Sequence, residues 1–402
     1  MDLGVDTGMT PGQRIKLYRQ RAGLTQEVAA QLKGVTVSAW RKWESGERSV
    51  TSLGDWIEIA RILKVRDLYR LTGLPVGSLP DEQAEHETVA PVRAALHAYA
   101  PKLDGPPDLD GLRRGIEWGW NAWYDSGDRY SRTGSVLPEL ITRARATVAA
   151  VEGEQRREAL RATADLMMLV RAFGKRIGAL DVSLLGADRA LAAAGDADDP
   201  MYRAAAAWHM ANVLSAAGHA EESGALCRDA AADLESIDDQ SEERISLLGS
   251  LHLMLSIQEA RLGYDRRAET ALDFAERTAA RTGETNWHHL YFGSINVGVH
   301  RSAVSLELSR SAEALRIAER IDVTRSPSRE RQHSHYLHLA RGYANQRDDL
   351  ASVYMLVRAD RAIPEESHLN LVMRALVREL LVRETPTTRP ELRPLAERIG
   401  VA

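Results

Sequence analysis

Apolar positions recur three and four residues apart along most of this 402-residue chain, and alternating runs of β-branched residues are absent. That period predicts helices from one end to the other. The first opens at Pro11, a residue suited to a first turn, and turns Ile15, Tyr18 and Ala22 inward with Arg14, Lys16, Arg19 and Arg21 outside. Thr25 is a good N-cap for the helix-friendly QEVAAQL, Gly34 supplies the left-handed backbone of a sharp turn, and Thr36 caps a second short helix. At about 100° per residue that helix sets Trp40 and Trp43 on one side and Ser38, Arg41, Lys42 and Ser45 on the other. Two indoles then bury it while a polar, basic face stays free. Ser52 and Asp55 form an S-x-x-D box ahead of a helix bearing Leu53, Trp56, Ile57, Ala60 and Leu63. Leu68 and Leu71 mark a fifth helix, closed by Gly73 and Pro75.

Pro75–Glu87, with two prolines and several acids, reads as a linker, and Pro101–Pro107 as a second break. The chain therefore divides into a head at 10–76, a linker with a first body helix at 77–107, and a body at 108–402. Helix stops recur in the body at Gly127, Gly178, Gly195–Asp199, Gly218, Gly263, Gly283, Ser326–Pro327 and Pro364. Weakly similar text returns at Ala211–Ala230, Ala260–Ala275, Val304–Ala318 and Ala340–Ala359, a spacing of roughly 40 residues. One helical hairpin cannot cover its own apolar face, so successive hairpins stack; the fold class is all-α, with an α-solenoid as the body.

Charge separates the same two parts. Residues 9–79 hold 12 Lys and Arg against 6 Asp and Glu, and the remainder holds 40 against 51, for a net −5. A basic head on an acidic body suits a nucleic-acid-binding module whose body stays off the polyanion. Cys227 is the lone cysteine, which excludes an intramolecular disulfide and a cysteine-based zinc site and suits a small buried apolar role. No secretory signal opens the chain and no apolar run spans a bilayer, so the cytoplasm is the expected location. Neither a Gly-rich phosphate loop, nor G-x-S-x-G, nor H-E-x-x-H occurs, so the sequence points to no enzyme and requires no cofactor.

The LTQ opening, Gly34-Val35-Thr36 and Trp43-Glu44-x-Gly46 resemble the Cro/repressor-type (Xre) helix-turn-helix, a five-helix fold of this size and order. The family sets a bulky aliphatic residue and Ala four and five positions after the Thr of LTQ, where Ala29 and Ala30 stand here. That departure leaves the register of the turn open. The resemblance implies base contacts from Val37, Ser38 and Lys42 and a phosphate contact from Gln26 at a helix N-terminus. A basic helix face in a major groove also enlists Thr36, Arg41 and Arg48, with Arg19 beside it on the first helix. The whole layout, with FGSINVGVH (292–300), PSRERQHSHYLHLARGY (327–343) and abundant Arg and Ala, resembles actinobacterial regulators that join an Xre head to a tetratricopeptide-like body. It implies double-stranded DNA as a partner, a homodimer, and repression rather than activation.

In the body, His209 and Asn212 lie three apart and Asn296 and His300 four apart, so each pair shares a helix face. A buried amide both donates and accepts, which suits a peptide or small-molecule ligand; an Asn that satisfies a neighbouring helix end is the plainer alternative. His252, Tyr336 and Asn345 are further candidates for that lining. Trp118, Trp120, Trp123 and Tyr124 form either core or an aromatic cage or dimer seam. His333, His335 and His338 lack a carboxylate at ligand spacing, so no metal is expected. A second reading of the chain is a solenoid scaffold that acts through protein binding.

Overall fold

Threonine hydroxyls set the start of the first three helices. In the computed structural model, which describes residues 9–50, 53–63, 65, 69–72, 85–99, 106–308, 310–326 and 328–401, Thr10 forms a reciprocal capping box with Gln13 at the head of α1 (Pro11–Arg21). Thr25 accepts from Val28 N at the start of α2 (Gln26–Lys33), and Thr36 from Ala39 N at the start of α3 (Val37–Ser45), both at 3.2 Å. Gly34 and Gly46 end those two helices at φ 72° and 78°, the left-handed region that costs a glycine nothing. The turn register is thus fixed: Ala29 and Ala30 are buried and Val28 is 42% exposed. α4 (Leu53–Ile62) and α5 (Tyr69–Thr72) complete the head. The Ser52 box, Leu68 of the fifth helix, its Gly73–Pro75 stop and most of both linkers lie outside the described residues. Asp55 pairs with Lys33 at 2.8 Å, tying α4 to α2.

Ile15, Ala29, Ala30, Trp40, Trp43, Ile59, Leu63 and Leu71 form one core in the head. Trp40 and Trp43 meet edge to face, 5.8 Å apart. Gly12 lies where α1 crosses the end of α3. A Cβ there would stand 2.4 Å from the Trp43 carbonyl oxygen and 2.9 Å from that of Glu44. Both obstacles are backbone, so Gly12→Ala is expected to lower head stability by about 1–3 kcal/mol, read as an earlier head transition in calorimetry. An unchanged transition would show that α1 does not press on α3.

The contacts divide the chain into two units, residues 1–85 and 86–402. The second is helical throughout its described residues, apart from an isolated bridge between Thr285 and Phe292. It begins with α6 (Val89–His97), α7 (Leu109–Asp125) and α8 (Arg129–Ala150). Antiparallel hairpins follow: α9 (Gly153–Ile177) with α10 (Leu180–Asp196), α11 (Pro200–Ala216) with α12 (Ala220–Glu235), and α13 (Glu242–Arg261) with α14 (Asp265–Thr282). Then come α15 (Ser294–Glu307) with α16 (Ser311–Glu319), α17 (Arg329–Asn345) with α18 (Asp349–Ala362), and the shorter α19 (Pro364–Leu369), α20 (Leu371–Val382) and α21 (Arg389–Arg398). Among the described residues no helix is long and apolar enough to cross a membrane.

The faint repeat has a physical counterpart. Ser183 donates its hydroxyl to the Arg171 carbonyl, Ser223 to Ala211, Ser352 to Ala340 and, in mirror order, Ser302 to Ala314, each pair twelve residues apart. Small residues let paired helices approach there, and the hydroxyl satisfies itself across the seam. The stack is also tied end to end. Glu365 of α19 accepts from Tyr130 N at 2.6 Å and Ser131 N at 3.1 Å, capping α8 from 235 and 234 positions away. Beside it Glu366 bonds the fully buried Arg129 guanidinium, which also lies 4.2 Å over the Trp123 ring.

Candidate functional site

Two places gather the residues singled out by sequence. In the head, α3 turns Trp40 and Trp43 into the core and leaves Ser38, Arg41 and Lys42 exposed. Thr36 is exposed with its hydroxyl engaged as a cap, Val37 is half-buried against the core, and Arg48 is exposed beyond the helix end. Arg41 reaches Glu27 at 3.5 Å and Lys42 reaches Glu47 at 3.4 Å, all four side chains largely in solvent. Exposed pairs of this kind contribute little, so both cations can change partner for a phosphate at little cost.

Behind that face sits a buried polar cluster. Glu44 accepts from Arg19 Nε at 2.5 Å, Arg19 Nη2 at 3.1 Å, Gln26 Nε2 at 2.7 Å and Trp40 Nε1 at 2.7 Å. Burial raises the Glu44 carboxyl, but the bonds from Arg19, Gln26 and Trp40 outweigh it and hold it below its ordinary value. Arg19 is therefore buried, not on the outside of α1 as the helix wheel suggests, and Arg14 is buried too, its Nε donating to the Met9 carbonyl at 3.1 Å. A guanidinium that finds a carboxylate from another helix turns inward. Gln26 is half-buried, donating to Glu44 and accepting from Arg41 Nε at 3.1 Å; its amide braces α3.

In the body, α7, α9, α11, α15, α17 and the segment after α14 line two adjoining cavities of about 90 and 140 Å³, which share Tyr291 and Arg331. His209 and Asn212 line the first and Asn296 the second. Arg171 Nε donates to His209 Nδ1 at 2.8 Å, and Arg171 Nη1 to Asn212 Oδ1 at 3.2 Å. The Lys175 ammonium shares the Asn212 oxygen, while Arg331 bonds Asn296 Oδ1 and, at 2.7 Å, the Leu290 carbonyl. Burial pushes Arg171 down to about 9 and Arg331 to about 10; burial, Arg176 and Arg171 put Lys175 well below its usual range. Burial and Arg171 likewise drive His209 far down, so it is neutral, accepts at Nδ1 and carries its proton on Nε2.

Aromatic rings wall this pocket. His289 stacks on Trp120 at 4.0 Å, and Tyr291 meets Tyr124 edge-on at 4.7 Å. Trp120, Trp123 and Tyr124 are thus core and pocket wall together, while Trp118 is 46% exposed. The wall is strained: His288, His289 and Tyr291 hold φ of 47°, 61° and 48°, costly for residues with a Cβ. Tyr124 fastens it by donating its hydroxyl to the His289 carbonyl at 2.7 Å.

Three sequence candidates fall elsewhere. His300 spends Nδ1–H on the Asn296 carbonyl of its own helix at 2.9 Å. His252 stacks on Phe274 at 3.9 Å in a separate, arginine-lined groove. Tyr336 is buried in the C-terminal core, accepting from Arg358 at 2.8 Å. The Asn345 side chain lies outside the described residues. His333 faces Glu366 at 3.8 Å, and among the described residues no group of three or more His, Cys, Asp or Glu is placed to hold a metal. Reading by sequence missed Arg171, Lys175 and Arg331. Arg171 did leave a signal, a lone cation inside the apolar run Leu166–Phe173.

Residues 12–70 match a family model described as a helix-turn-helix domain. Among solved structures the chain is similar to PlcR of Bacillus thuringiensis, crystallised with the peptide PapR7 and DNA. Identity there is 13% over 87% of this chain and 98% of that one, with a TM-score of 0.33. It is also similar to the apo form of the competence regulator ComR of Streptococcus vestibularis, at 11% identity over 99% of both chains and a TM-score of 0.29. No curated protein matches it.

Proposed function

We propose that the chain is a sequence-specific DNA-binding transcriptional regulator whose helical body senses a ligand. The observation that carries this reading is the division of α3: two indoles locked in the core, and Ser38, Arg41 and Lys42 outward on a helix capped at both ends. A major groove admits one such helix, and cations on it bind phosphate and guanine edges. In a cytoplasmic homodimer two such heads meet half-sites one helical turn, about 34 Å, apart. Occupying a promoter in this way represses it. Ligand in the body pocket changes DNA affinity to the extent that it binds one arrangement of the dimer better than another.

The test begins by mapping the DNA that the protein occupies across the genome and measuring affinity for a recovered fragment against salt. Arg41→Ala with Lys42→Ala is expected to weaken binding and to flatten the log–log salt slope by about two, one per lost phosphate contact. Unchanged affinity and slope would move the reading surface off α3.

A further inference from the structure

The body pocket holds far more donors than acceptors. The first cavity is lined by four cations, Arg171, Lys175, Arg176 and Arg331, against one carboxylate, Glu330, which Arg176 already engages. Arg171, Lys175 and Arg331 satisfy themselves only on neutral atoms: an imidazole nitrogen, two amide oxygens and a backbone carbonyl. Two donors on this lining have no partner among the described residues. Nε2 of His209, a residue only 1% exposed, is one and Arg331 Nε is the other, though both residues line the cavity. Uncompensated buried charge is costly and persists where something else relieves it.

The geometry points to an organic oxyanion, a carboxylate or phosphate monoester on a small body, as the ligand of this pocket, held by Arg171, Lys175, Arg331 and the His209 Nε2–H. Guanidinium and ammonium donors converging from α9 and α17 form charge-assisted bonds with such a group, while Trp208 and Tyr291 offer apolar surface to whatever bears it. The strained His288–Tyr291 wall belongs to the same site, so filling it bears directly on the segment least comfortable in its conformation. This inference rests on the reading of the pocket as the sensing site and specifies what is sensed.

The test uses the full chain carrying Arg41→Ala and Lys42→Ala, which removes the two exposed cations of α3 as competing anion contacts. Phenylacetate, phenyl phosphate and neutral phenylacetamide are titrated at matched ionic strength, followed by tryptophan fluorescence and calorimetry. At least one anion is expected to bind about tenfold or more tighter than the amide, and Lys175→Gln to remove that preference. The tighter of the two anions tells carboxylate from phosphate. Should Lys175→Gln fail to fold, a melting temperature raised over chloride by inorganic phosphate at about 10 mM or below, where general salting-out is negligible, supports the same site. Equal binding of acid and amide overturns the proposal, as does no binding of either anion at about 10 mM together with no phosphate stabilisation. Such failure leaves the salt titration of DNA affinity standing. Anion binding that leaves the unsubstituted chain's DNA affinity unchanged keeps the site and removes its sensory role.

Discussion

Glu44→Ala is expected to unfold the head and abolish DNA binding while the body stays folded. The carboxylate is buried behind the exposed face of α3 and accepts from Arg19, Gln26 and Trp40 together. Its removal leaves a buried guanidinium without its counter-charge, held only by the Leu24 carbonyl, and an indole N–H without an acceptor; breaking a buried ion pair from one side costs about 3–5 kcal/mol. A unit of 85 residues, by far the smaller of the two, has a total stability of only about 5–15 kcal/mol. Calorimetry should show the head transition lost or strongly lowered. Glu44→Gln keeps an acceptor and is expected to fall between the two. A head transition unmoved by Glu44→Ala would mean that the Arg19–Glu44 contact does not hold α1 on α3.

Glu366→Gln carries the second large effect, in the body. It leaves the wholly buried Arg129 uncompensated at the contact between α19 and α8, again for about 3–5 kcal/mol. Acid should do the same without a mutation. Burial raises the Glu366 carboxyl, yet Arg129, His333, Arg176 and the Tyr130 hydroxyl together outweigh burial and hold it at about 2, below its ordinary 4.5. A carboxylate depressed on folding contributes fully above its unfolded value and loses that contribution as pH falls through the folded one. The melting temperature of the body is therefore expected to fall between about pH 4.5 and 2, and to fall less in Glu366→Gln. Parallel acid profiles for the two proteins would take the end-to-end tie out of the account.

Local features of this chain could be read from its letters; long-range charge pairing could not. Thr25, Gly34, Thr36 and Gly46 act within four residues of themselves, so their roles as caps and turns follow from residue type. The Trp40–Trp43 stripe follows from helical spacing alone. Arg19 was misplaced because its partner lies 25 residues on, across a helix crossing that no periodicity records. In the body, spacing put His209 with Asn212 and singled out Asn296, and these do line the adjoining cavities. The same arithmetic could not say which hairpin face turns toward them, so His252 and Tyr336 went to other surfaces. Lys175 and Arg331 look like ordinary surface cations until α7, α11 and the 284–293 segment close over them.

Amide hydrogen exchange on the full chain, with and without a DNA fragment recovered by the genomic mapping, tests the central claim most directly. Added protection confined to residues 36–48 and the start of α2 is the predicted result. Protection that appears elsewhere while 36–48 exchange as in the free protein would contradict it.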